Sequence, residues 1–534
     1  MTLPDLITAL SDPRAYGPGD YPVEVRQTHI SVVVLTADHA YKLKKPVTLG
    51  FLDFGTLEKR RAGCEREVAL NRRLAPDIYL GVVPITRSAA GVTMNGDGET
   101  VEWAVKMRRL PDDATLLARL RRGEVTAPVV EHLGRQVAAF HASAEGGERV
   151  AAGGRFEAVA GNALENFAQA EPHVGRTVSR AVFDRVRCRT EAAFQRLRPL
   201  IDRRAATGVP RDTHGDLHLD HVYLFPDRPP PGDVVVIDCV EFNDRFRHAD
   251  PVADAAFLAM DLGFHGRPDL AAAFADAYLS AAYDPDGRAL LPFYTAYRAV
   301  VRAKVDGMTA DDPAVPAAKR LAALCRGRAH WLYALGLLEP SARRPCLVLV
   351  GGLPGVGKST LSAGLAGFKI IRSDVVRKEL VGVPATTPSS APDRAGIYTP
   401  ELTELTYELC QRRAEDALFA GERVVVDASF AAERHRRAFL DAAAGLAVPG
   451  VFLHCQADPC VTARRLAGRR GDASDADEAV ARRLAGRWEP SEPRTVAATR
   501  PVVTDGTPEE GVARATAHLC RLGLSEYVRP TTHP

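Results

Sequence analysis

The stretch Gly-Leu-Pro-Gly-Val-Gly-Lys-Ser at residues 352–359 decides the fold of the C-terminal part of this chain. Two glycines separated by four residues are followed directly by Lys-Ser, which is the spacing of a P-loop. The apolar run at residues 346–350 predicts a buried strand before it, and residues 360–365 can begin a helix after it. A strand, a glycine loop and a helix in this order close backbone N–H groups around a phosphate at a helix N-terminus.

The residue types of this loop predict nucleotide chemistry. Lys358 would reach the β- and γ-phosphates of ATP, and the Ser359 hydroxyl would hold Mg²⁺. An ordinary glycine-rich turn is the alternative, which the flanking strand and helix disfavour. The predicted nucleotide-binding residues of the loop are Gly352, Leu353, Pro354, Gly355, Val356, Gly357, Lys358, Ser359 and Thr360.

Length and composition indicate an ordinary globular protein. A chain of 534 residues is too long for one core and predicts about two to four domains. The net charge of +2 gives no overall reason to expect nucleic acid or an anionic membrane as a partner. The nine cysteines include no Cys-x-x-Cys pair, and no run approaches the about 18 apolar residues of a membrane helix. We therefore expect a cytoplasmic protein without a signal peptide or membrane segment.

The N-terminal part predicts strands followed by a charged helix. Residues 40–44 alternate as in a strand, and residues 56–74 have the composition of a helix. Lys42 and Lys44 share one face of the strand, because side chains repeat every two residues. A strand lysine and a helix glutamate, here Glu67, are the pair with which kinases hold the α- and β-phosphates. Solvated surface charges are the alternative interpretation.

A second informative stretch is Thr-His-Gly-Asp-Leu-His-Leu-Asp-His at residues 213–221, which leads into an apolar strand. A turn follows, and the buried run at residues 234–238 ends in Asp238. Two strands joined by a turn, with an acid before the first and after the second, are typical of the catalytic segment of a kinase-type lobe. Asp216 would accept the proton of an acceptor hydroxyl, and Asp238 would hold Mg²⁺.

Two other interpretations of this stretch stay open. His214, His218 and His221 offer three imidazoles for a zinc site, although the segment is an irregular loop rather than one helix face. Alternatively, His214 and Asp216 hold the loop together by hydrogen bonds alone.

His-Gly-Asp-Leu-His at residues 214–218, followed by Val-Ile-Asp at residues 236–238, resembles the aminoglycoside phosphotransferase-like kinases. The similarity covers roughly residues 20–335. It implies a bilobal, protein-kinase-like domain that uses ATP and Mg²⁺. The residues that it assigns are Lys42 or Lys44 as the ATP lysine, Glu67 as its helix partner, Asp216 as the catalytic base, Asp238 as the principal metal ligand and Asp254 as a structural acid.

The chain departs from that family pattern in two places. The family has an asparagine five residues after the catalytic acid as a second metal ligand, and this chain has His221 there. Neutral imidazole can bind a divalent metal but suits hard Mg²⁺ poorly. The glycine-rich loop over the phosphates is also missing, and residues 36–39 read Thr-Ala-Asp-His. The N-terminal half is therefore expected to be slow, to use another metal, or to be a binding or regulatory lobe.

Further strands of a mostly parallel sheet are expected in the C-terminal half. One is followed by Arg-Ser-Asp at residues 372–374, with Arg377 one helical turn beyond the acid. Asp374 can take a proton from an acceptor hydroxyl while Arg377 steadies the acceptor, and a capping acid with a solvated arginine is the alternative. The strand at residues 424–427 ends in Asp427, a candidate for the Mg²⁺ shell.

Two segments of the C-terminal half are expected to cover its site. Residues 387–398 are rich in Pro, Ser and Ala and predict a mobile loop over the acceptor. The basic stretch at residues 464–471 is interpreted as a lid whose arginines, Arg469 among them, reach the transferring phosphates. A nucleic-acid patch and an exposed helix face are the alternatives, and the lack of interleaved aromatic residues disfavours the first.

These C-terminal motifs, over about residues 346–525, resemble the small P-loop kinases of the gluconate kinase, polynucleotide 5′-kinase and zeta-toxin type, which are often grouped with AAA-family ATPases. The whole chain resembles bacterial proteins that fuse the two domains. That resemblance implies a bifunctional phosphotransferase that transfers the ATP γ-phosphoryl group to a hydroxyl of a small-molecule acceptor. The alternatives are a P-loop kinase or ATPase regulated by a weakly active or inactive N-terminal sensor lobe, and a nucleic-acid end kinase.

The predicted architecture combines an α+β part with an α/β part. The predicted boundaries are residues 1–110 for the kinase-like N-lobe, 111–337 for its C-lobe, 338–345 for a linker, 346–525 for the P-loop domain and 526–534 for a tail.

Overall fold

The computed structural model describes residues 1–17, 22–49, 52–89, 91–384, 398–468 and 478–526. The chain divides into two compact units. The first unit comprises Met1–Asn162 and Arg196–Thr295, and the second comprises Ala163–Gln195 and Ala296–Pro534.

The first unit contains both strands and helices. Its strands are β1 (Glu24–Gln27), β2 (Ser31–Leu35), β3 (His39–Lys44), β4 (Thr48–Leu49), β5 (Leu52–Asp53), β6 (Tyr79–Ser88), β7 (Gly91–Met94), β8 (Glu99–Arg108), β9 (Arg211–Asp212), β10 (Val222–Leu224), β11 (Val234–Val236) and β12 (His248–Ala249). Its helices are α1 (Leu3–Leu10), α2 (Leu57–Asn71), α3 (Leu116–Arg121), α4 (Ala127–Ser143), α5 (Glu148–Ala151), α8 (Pro251–Phe264) and α9 (Pro268–Ala281). Helices α6 (Phe156–Ala170), α7 (Arg180–Ala206) and α10 (Gly287–Asp311) each contribute residues to both units.

A six-stranded antiparallel sheet in the order β1-β2-β3-β8-β6-β7 forms one layer of the first unit. Alternate residues of its strands face two different cores, as the two-residue period of a strand requires. Val32 and Leu43 pack against helix α1 on one face, whereas Ala40 packs with Val68 of helix α2 on the other. The even positions of β3, which include its two lysines, therefore lie on the side of α2.

Strands β6 and β7 of this sheet were not predicted from the sequence. Strand β6 contains Gly81 and Pro84, and its pairing with β8 shifts register at Tyr79/Gly81 and at Ile85/Thr86. Such irregularities break the alternation of apolar and polar residues from which a strand is predicted.

Helices and a short ribbon complete the first unit. Helices α4, α8 and α9 pack on one another, and α8 is buried along most of its length. Strands β10 and β11 form an antiparallel ribbon in which Val222 pairs with Val236. This ribbon holds the predicted Asp216 loop at one end of β10 and Asp238 just beyond β11, as the sequence predicts.

The second unit contains a parallel sheet. Its strands are β13 (Cys346–Gly351), β14 (Lys369–Arg372), β15 (Arg423–Asp427), β16 (Gly450–Gln456) and β17 (Thr499–Val503), and its remaining helices are α11 (Ala317–Leu338), α12 (Lys358–Gly364), α13 (Ser373–Leu380), α14 (Pro400–Phe419), α15 (Glu433–Gly445), α16 (Pro459–Ala467), α17 (Glu478–Ala485), α18 (Pro493–Ala498) and α19 (Pro508–Arg521).

All pairs of this sheet are parallel, in the order β14-β15-β13-β16-β17. Val348 and Val350 of the central strand pack with Leu361 of α12 in a fully buried core. Because the carboxyl ends of parallel strands meet at one edge, the loops after β13, β14 and β15 converge there. The predicted fold class is confirmed for both parts of the chain. No helix in the described part is long and apolar enough to span a membrane.

Candidate active sites

Two lysines of strand β3 and a glutamate of helix α2 meet inside the first unit. Lys42 Nζ lies 3.0 Å from Glu67 Oε1, and Lys44 forms an ion pair with the other carboxylate oxygen. The side chain of Lys44 is fully buried, whereas 13% of the Lys42 side chain is exposed. Of the two lysines that the sequence left undecided, Lys42 is therefore the one that a ligand can reach.

Glu241 is a member of this cluster that the sequence analysis missed. It forms an ion pair with Lys44, which thereby bridges Glu67 and Glu241 in the interior. Burial raises the pKa of Glu241, against the opposing effect of the Lys44 charge. A lone acid in the otherwise apolar run Cys-Val-Glu-Phe at residues 239–242 is the signal that could have identified it.

Asp238 lies directly after β11 in a left-handed conformation, with φ of 66°. Its backbone N–H donates to the Tyr79 hydroxyl at 3.1 Å, and its carboxylate accepts a hydrogen bond from Lys42. Burial alone would raise the pKa of Asp238, but Lys42 and His221 outweigh it and hold the pKa well below its ordinary value. Lys42 thus contacts two carboxylates, Asp238 and Glu67.

The loop that carries Asp216 is anchored by Asp254 on helix α8. The Asp254 carboxylate accepts hydrogen bonds from the backbone N–H groups of His214 and Gly215, at 3.0 and 2.9 Å. His214 Nε2 donates to the carbonyl oxygen of Ile237 at 3.0 Å, and its Nδ1 accepts from the Asp216 N–H at 3.3 Å. Burial lowers the pKa of His214 to about 4, so the ring is neutral at pH 7. His214 thus stabilises the loop, while the Asp216 side chain stays 34% exposed.

The rings of His218 and His221 lie beside Asp216, with centroids 3.9 Å apart and planes tilted by 38°. His218 Nε2 lies 3.7 Å from the Asp216 carboxylate, and His221 Nε2 lies 3.5 Å from Asp238 Oδ2. Asp216, His218 and His221 form a group whose ligand atoms are close enough to share a metal ion. His214, the third histidine of the zinc interpretation, is not a member of this group, and both of its ring nitrogens are hydrogen-bonded.

The donor set of the first site does not fit Mg²⁺ well. Mg²⁺ prefers an octahedron of oxygen donors. Asp238 supplies oxygen, but the neighbouring donor that faces it is the imidazole of His221. Consequently no Mg²⁺-dependent step follows from the residues of this site.

The predicted P-loop of the second unit joins β13 to α12. Gly352, Gly355 and Gly357 have φ values of 142°, 82° and 95°. A Cβ on Gly352 would lie 2.6 Å from the carbonyl oxygen of Cys455, so a side chain cannot replace its hydrogen without moving the backbone. Lys358 begins α12, and its ammonium group donates to a carbonyl oxygen of the loop at 2.9 Å.

A hydroxyl and a carboxylate lie together next to this loop. Ser359 Oγ donates to Asp427 Oδ2 at 2.6 Å, and Arg372 at the end of β14 donates to Ser359 Oγ at 3.2 Å. Burial raises the pKa of Asp427, although the Lys358 charge opposes this. A hydroxyl and a carboxylate are hard oxygen donors, so Ser359 and Asp427 fit Mg²⁺. Arg372 belongs to the Arg-Ser-Asp motif, but no role was predicted for it from the sequence.

Asp374 and Arg377 lie on helix α13, which directly follows the carboxyl end of strand β14. The Asp374 charge contributes to the raised pKa of Asp427, so the two carboxylates interact. Arg377 is buried, donates to Thr403 Oγ1 at 3.1 Å and lies 4.8 Å from the centre of the Tyr398 ring. The alternative of a solvated arginine is therefore wrong.

A cavity of about 130 Å³ lies beside the P-loop helix, lined by Gly357, Thr360 and Arg465 among others. Arg465 Nη2 donates to the Thr504 carbonyl oxygen at 2.7 Å. Its Nη1 is buried and has no hydrogen-bond partner among the described residues. A buried donor of this kind in a cavity indicates room for a polar ligand. Arg465 is not among the residues that the sequence predicts for this site.

Some predicted residues lie outside the part of the chain that the structure describes. They are Arg469 and the rest of the basic stretch beyond residue 468, residues 387–397 of the predicted acceptor loop, and residues 527–534 of the predicted tail. Their roles stay predictions.

Comparison with known proteins agrees with both halves of this description. Residues 51–291 match the model of the phosphotransferase enzyme family, and residues 347–491 match the model of an AAA domain. The chain thus joins a phosphotransferase-type domain to an AAA-type domain, which confirms the two resemblances predicted from its motifs.

Curated relatives cover nearly the whole chain. An uncharacterized protein of Mycobacterium tuberculosis (strain H37Rv) is 34% identical over 468 residues, which are 87% of this chain and 90% of the relative. A protein of Mycobacterium bovis, also uncharacterized, gives the same values. The chain belongs to the same family as these mycobacterial proteins.

Solved structures are similar to parts of the chain. A choline/ethanolamine kinase family protein from Mesorhizobium loti is 13% identical and covers 63% of this chain and 99% of its own, with a TM-score of 0.35. A gluconokinase from Sinorhizobium meliloti is 22% identical and covers 35% of this chain and 95% of its own, with a TM-score of 0.25.

Proposed function

We propose that this protein is an ATP-dependent phosphotransferase with two nucleotide-binding modules, each of which transfers the γ-phosphoryl group to a hydroxyl of a small-molecule acceptor. The two family matches support kinase-like chemistry and ATP use. One observation carries the proposal. In each unit a lysine of a phosphate-binding motif lies close to an acid at the end of a buried strand: Lys42 forms an ion pair with Asp238, and Lys358 directly precedes Ser359, which donates to Asp427.

In the second unit, the backbone N–H groups of the P-loop and Lys358 bind the phosphates in this proposal. Ser359 and Asp427 would hold Mg²⁺, which would supply positive charge to the bound phosphates. Asp374 accepts the proton of the acceptor hydroxyl, and Arg377 orients the acceptor. The rigid placement of Arg377 by Thr403 and Tyr398 supports a positioning role.

Two arginines of the second unit complete this proposal. Arg465 borders the cavity next to the P-loop helix, where the nucleoside would lie. Arg469 of the predicted lid would stabilise charge on the transferring phosphoryl group, an effect that contributes on the order of 10³–10⁵ in rate in related chemistry.

In the first unit, Lys42 binds the nucleotide phosphates and Glu67 fixes it in place. Asp216 accepts the proton of the acceptor hydroxyl, because its side chain is partly exposed on a loop that Asp254 holds rigid. Lys44 touches no ligand and instead positions Glu67 from within the core.

A regulatory first unit is the second candidate, and the turn between β2 and β3 favours it. Thr36 N–H donates to the His39 carbonyl oxygen at 2.9 Å, and Arg109 holds the turn from outside through the Thr36 carbonyl at 2.7 Å. This tight turn offers no glycine N–H groups to phosphates. A lobe of this kind could bind a small molecule and control the P-loop unit without turnover.

The test is product analysis with a pool of hydroxyl-bearing metabolites and ATP. The full chain is compared with Lys358→Ala and Asp216→Ala, and phosphorylated products are identified by mass spectrometry. Lys369→Ala and Asp220→Ala are the matched controls, since both side chains are exposed. If both units are kinases, each test variant loses a different product while the controls lose none.

Other results separate the candidates. If only Lys358→Ala abolishes phosphorylation and Asp216→Ala changes nothing, the first unit is a binding or regulatory lobe. If neither variant changes any product relative to its control, the phosphotransferase proposal is wrong.

A further inference from the structure

We propose that the first site binds a divalent cation of the first transition series, for example Mn²⁺, in preference to Mg²⁺. The ion would lie between His221 Nε2 and the Asp238 carboxylate, which are 3.5 Å apart. This inference rests on the proposed function in so far as the same site is taken to bind nucleotide phosphates. Its test, however, reads metal binding directly and does not depend on turnover.

The hydrogen bond at the other ring nitrogen of His221 fixes the tautomer. His221 Nδ1 lies 2.9 Å from the carbonyl oxygen of Asp216, and a carbonyl oxygen can only accept. Nδ1 therefore carries the proton, and Nε2 presents a lone pair. A histidine that donates its second N–H to a carbonyl is the usual arrangement of a metal-ligating imidazole.

The partner that faces this lone pair is also an acceptor. The Asp238 carboxylate offers Oδ2 to His221, while its other oxygen accepts a hydrogen bond from Lys42. Two acceptors that face each other in a buried site repel, and a cation between them turns that repulsion into two bonds. The ion can bind there without displacing Lys42 from Asp238.

The spacing of the two atoms fits one metal ion. Ligand atoms at about 2.0–2.2 Å from a metal and at right angles to each other are about 3 Å apart, so a small side-chain movement closes the observed 3.5 Å. The backbone positions of both ligands come from one ribbon, in which the Ile237 N–H donates to the His221 carbonyl at 3.0 Å. Such preorganisation favours binding, because little chain entropy is lost.

The chemistry of the donors selects the metal. Imidazole raises affinity for transition-series divalent ions relative to Mg²⁺, whereas carboxylate and water accept either. His218 and Asp216 lie next to His221, with which they form a group of potential ligands. The imidazole of His221 therefore shifts the metal preference of the site from Mg²⁺ towards transition-series ions, while Asp238 still supplies a carboxylate.

Electron paramagnetic resonance of bound Mn²⁺ tests this assignment. The titration uses the full chain carrying Ser359→Ala, which removes a metal donor from the second site, and no nucleotide is added. Pulsed measurements detect the coupling of Mn²⁺ to the nitrogen of a bound imidazole. We expect one Mn²⁺ per chain with this coupling, and a tenfold excess of Mg²⁺ should leave it bound.

Two further variants in the same background locate the nitrogen. His221→Asn should remove the coupling and weaken Mn²⁺ binding by at least about tenfold. His218→Asn should keep a coupling from His221. Loss of the coupling in His218→Asn alone would overturn the assignment to His221.

The Ser359→Ala chain, in which both proposed ligands are intact, gives a direct refutation without any substitution in the first site. Bound Mn²⁺ without any nitrogen coupling, or displacement of Mn²⁺ by an equal concentration of Mg²⁺, overturns the proposal. Nitrogen-coupled Mn²⁺ in a protein that phosphorylates no acceptor would support the metal assignment and count against the proposed function alone.

Discussion

The two candidate sites use different physical means to prepare for phosphate. The first site is a buried cluster of charged side chains, made of Lys42, Lys44, Glu67, Asp238 and Glu241. The second site is shaped by backbone, through glycines at positive φ between a strand and a helix. We therefore expect the first site to respond most strongly to substitutions that change charge, and the second to substitutions that change the shape of the loop.

The largest effect is expected from Lys44→Met, which changes charge where no ligand can reach. The substitution leaves Glu67 and Glu241 facing each other in the core without their shared cation. Removing one partner of a buried ion pair costs roughly 3–5 kcal/mol, so the free energy of unfolding of the first unit should fall by that amount. Urea unfolding of the full chain, followed by circular dichroism, measures it.

Two lysine variants serve as controls for this prediction. Lys59→Met removes an exposed ion pair with Asp53 and should cost about 0–1 kcal/mol. Lys42→Met should impair nucleotide binding more than it lowers stability, since Lys42 borders solvent. Equal losses for Lys44→Met and Lys59→Met would show that the buried ion pairs contribute no more to the free energy of unfolding than an exposed ion pair does.

Gly355→Ala tests the sensitivity of the second site to shape. The new Cβ would lie 2.9 Å from side-chain atoms of both Leu466 and Thr462, at a φ of 82°. No charge changes, yet the loop must move, and nucleotide-dependent activity should fall by about 10²-fold, as for the loss of one well-placed phosphate donor. The ratio kcat/KM for ATP at the second site measures the effect.

Gly382→Ala is the matched control for backbone strain. Gly382 has a φ of 70°, but a Cβ there meets nothing within 4 Å. This variant should lose stability by about 1 kcal/mol without a comparable loss of kcat/KM. If both alanine variants lose activity equally, strain alone explains the result and the shape of the loop does not.

The pH dependence of stability should reveal the buried His214 of the first site. Burial lowers the pKa of His214 in the folded chain to about 4 from an ordinary 6.5. His221 also lowers this pKa, whereas the charges of Asp254, Asp216 and Asp238 oppose the shift. Between these two values the unfolded chain binds a proton that the folded chain does not. Stability should therefore fall as the pH falls from 6.5 towards 4, by at most about 1.4 kcal/mol per pH unit from this group.

Urea unfolding at pH 4 to 8 checks this slope in the wild type and in His214→Gln. The glutamine amide can still donate a hydrogen bond towards the Ile237 carbonyl but does not titrate, so the part of the slope due to this group should vanish. His29→Gln, at an exposed position, should keep the wild-type slope. An unchanged slope in His214→Gln would contradict a neutral, buried imidazole.

The parts of the two sites that could be predicted from the sequence are those defined by short-range patterns. The P-loop, the strand acids Asp238 and Asp427, and the Asp216 loop are each defined within about ten residues, where spacing fixes geometry. The parallel sheet of the second unit also follows from such patterns, because its strands are short apolar runs with polar ends. The family matches agree with these predictions at the level of domains.

Long-range pairing explains what the sequence did not reveal. Lys44 and Glu241 are 197 residues apart, so nothing local distinguishes Lys44 from Lys42 or marks Glu241 as its partner. Arg465 looked like one of several arginines in a basic stretch, and only its contact with Thr504 separates it from its neighbours. Strand β6 was hidden by its own register shifts.

The smallest effect is expected from Arg465→Met, which removes a charged side chain next to the P-loop of the second site. Arg465 lines the cavity beside the P-loop helix, and its buried Nη1 has no hydrogen-bond partner among the described residues. Loss of such an interaction weakens ground state and transition state alike, so KM for ATP should rise about tenfold while kcat stays nearly constant. Arg464→Met, at an exposed neighbouring position, should change neither constant. A fall in kcat at constant KM would instead place Arg465 at the reacting phosphate and make charge, as in the first site, the dominant contribution there.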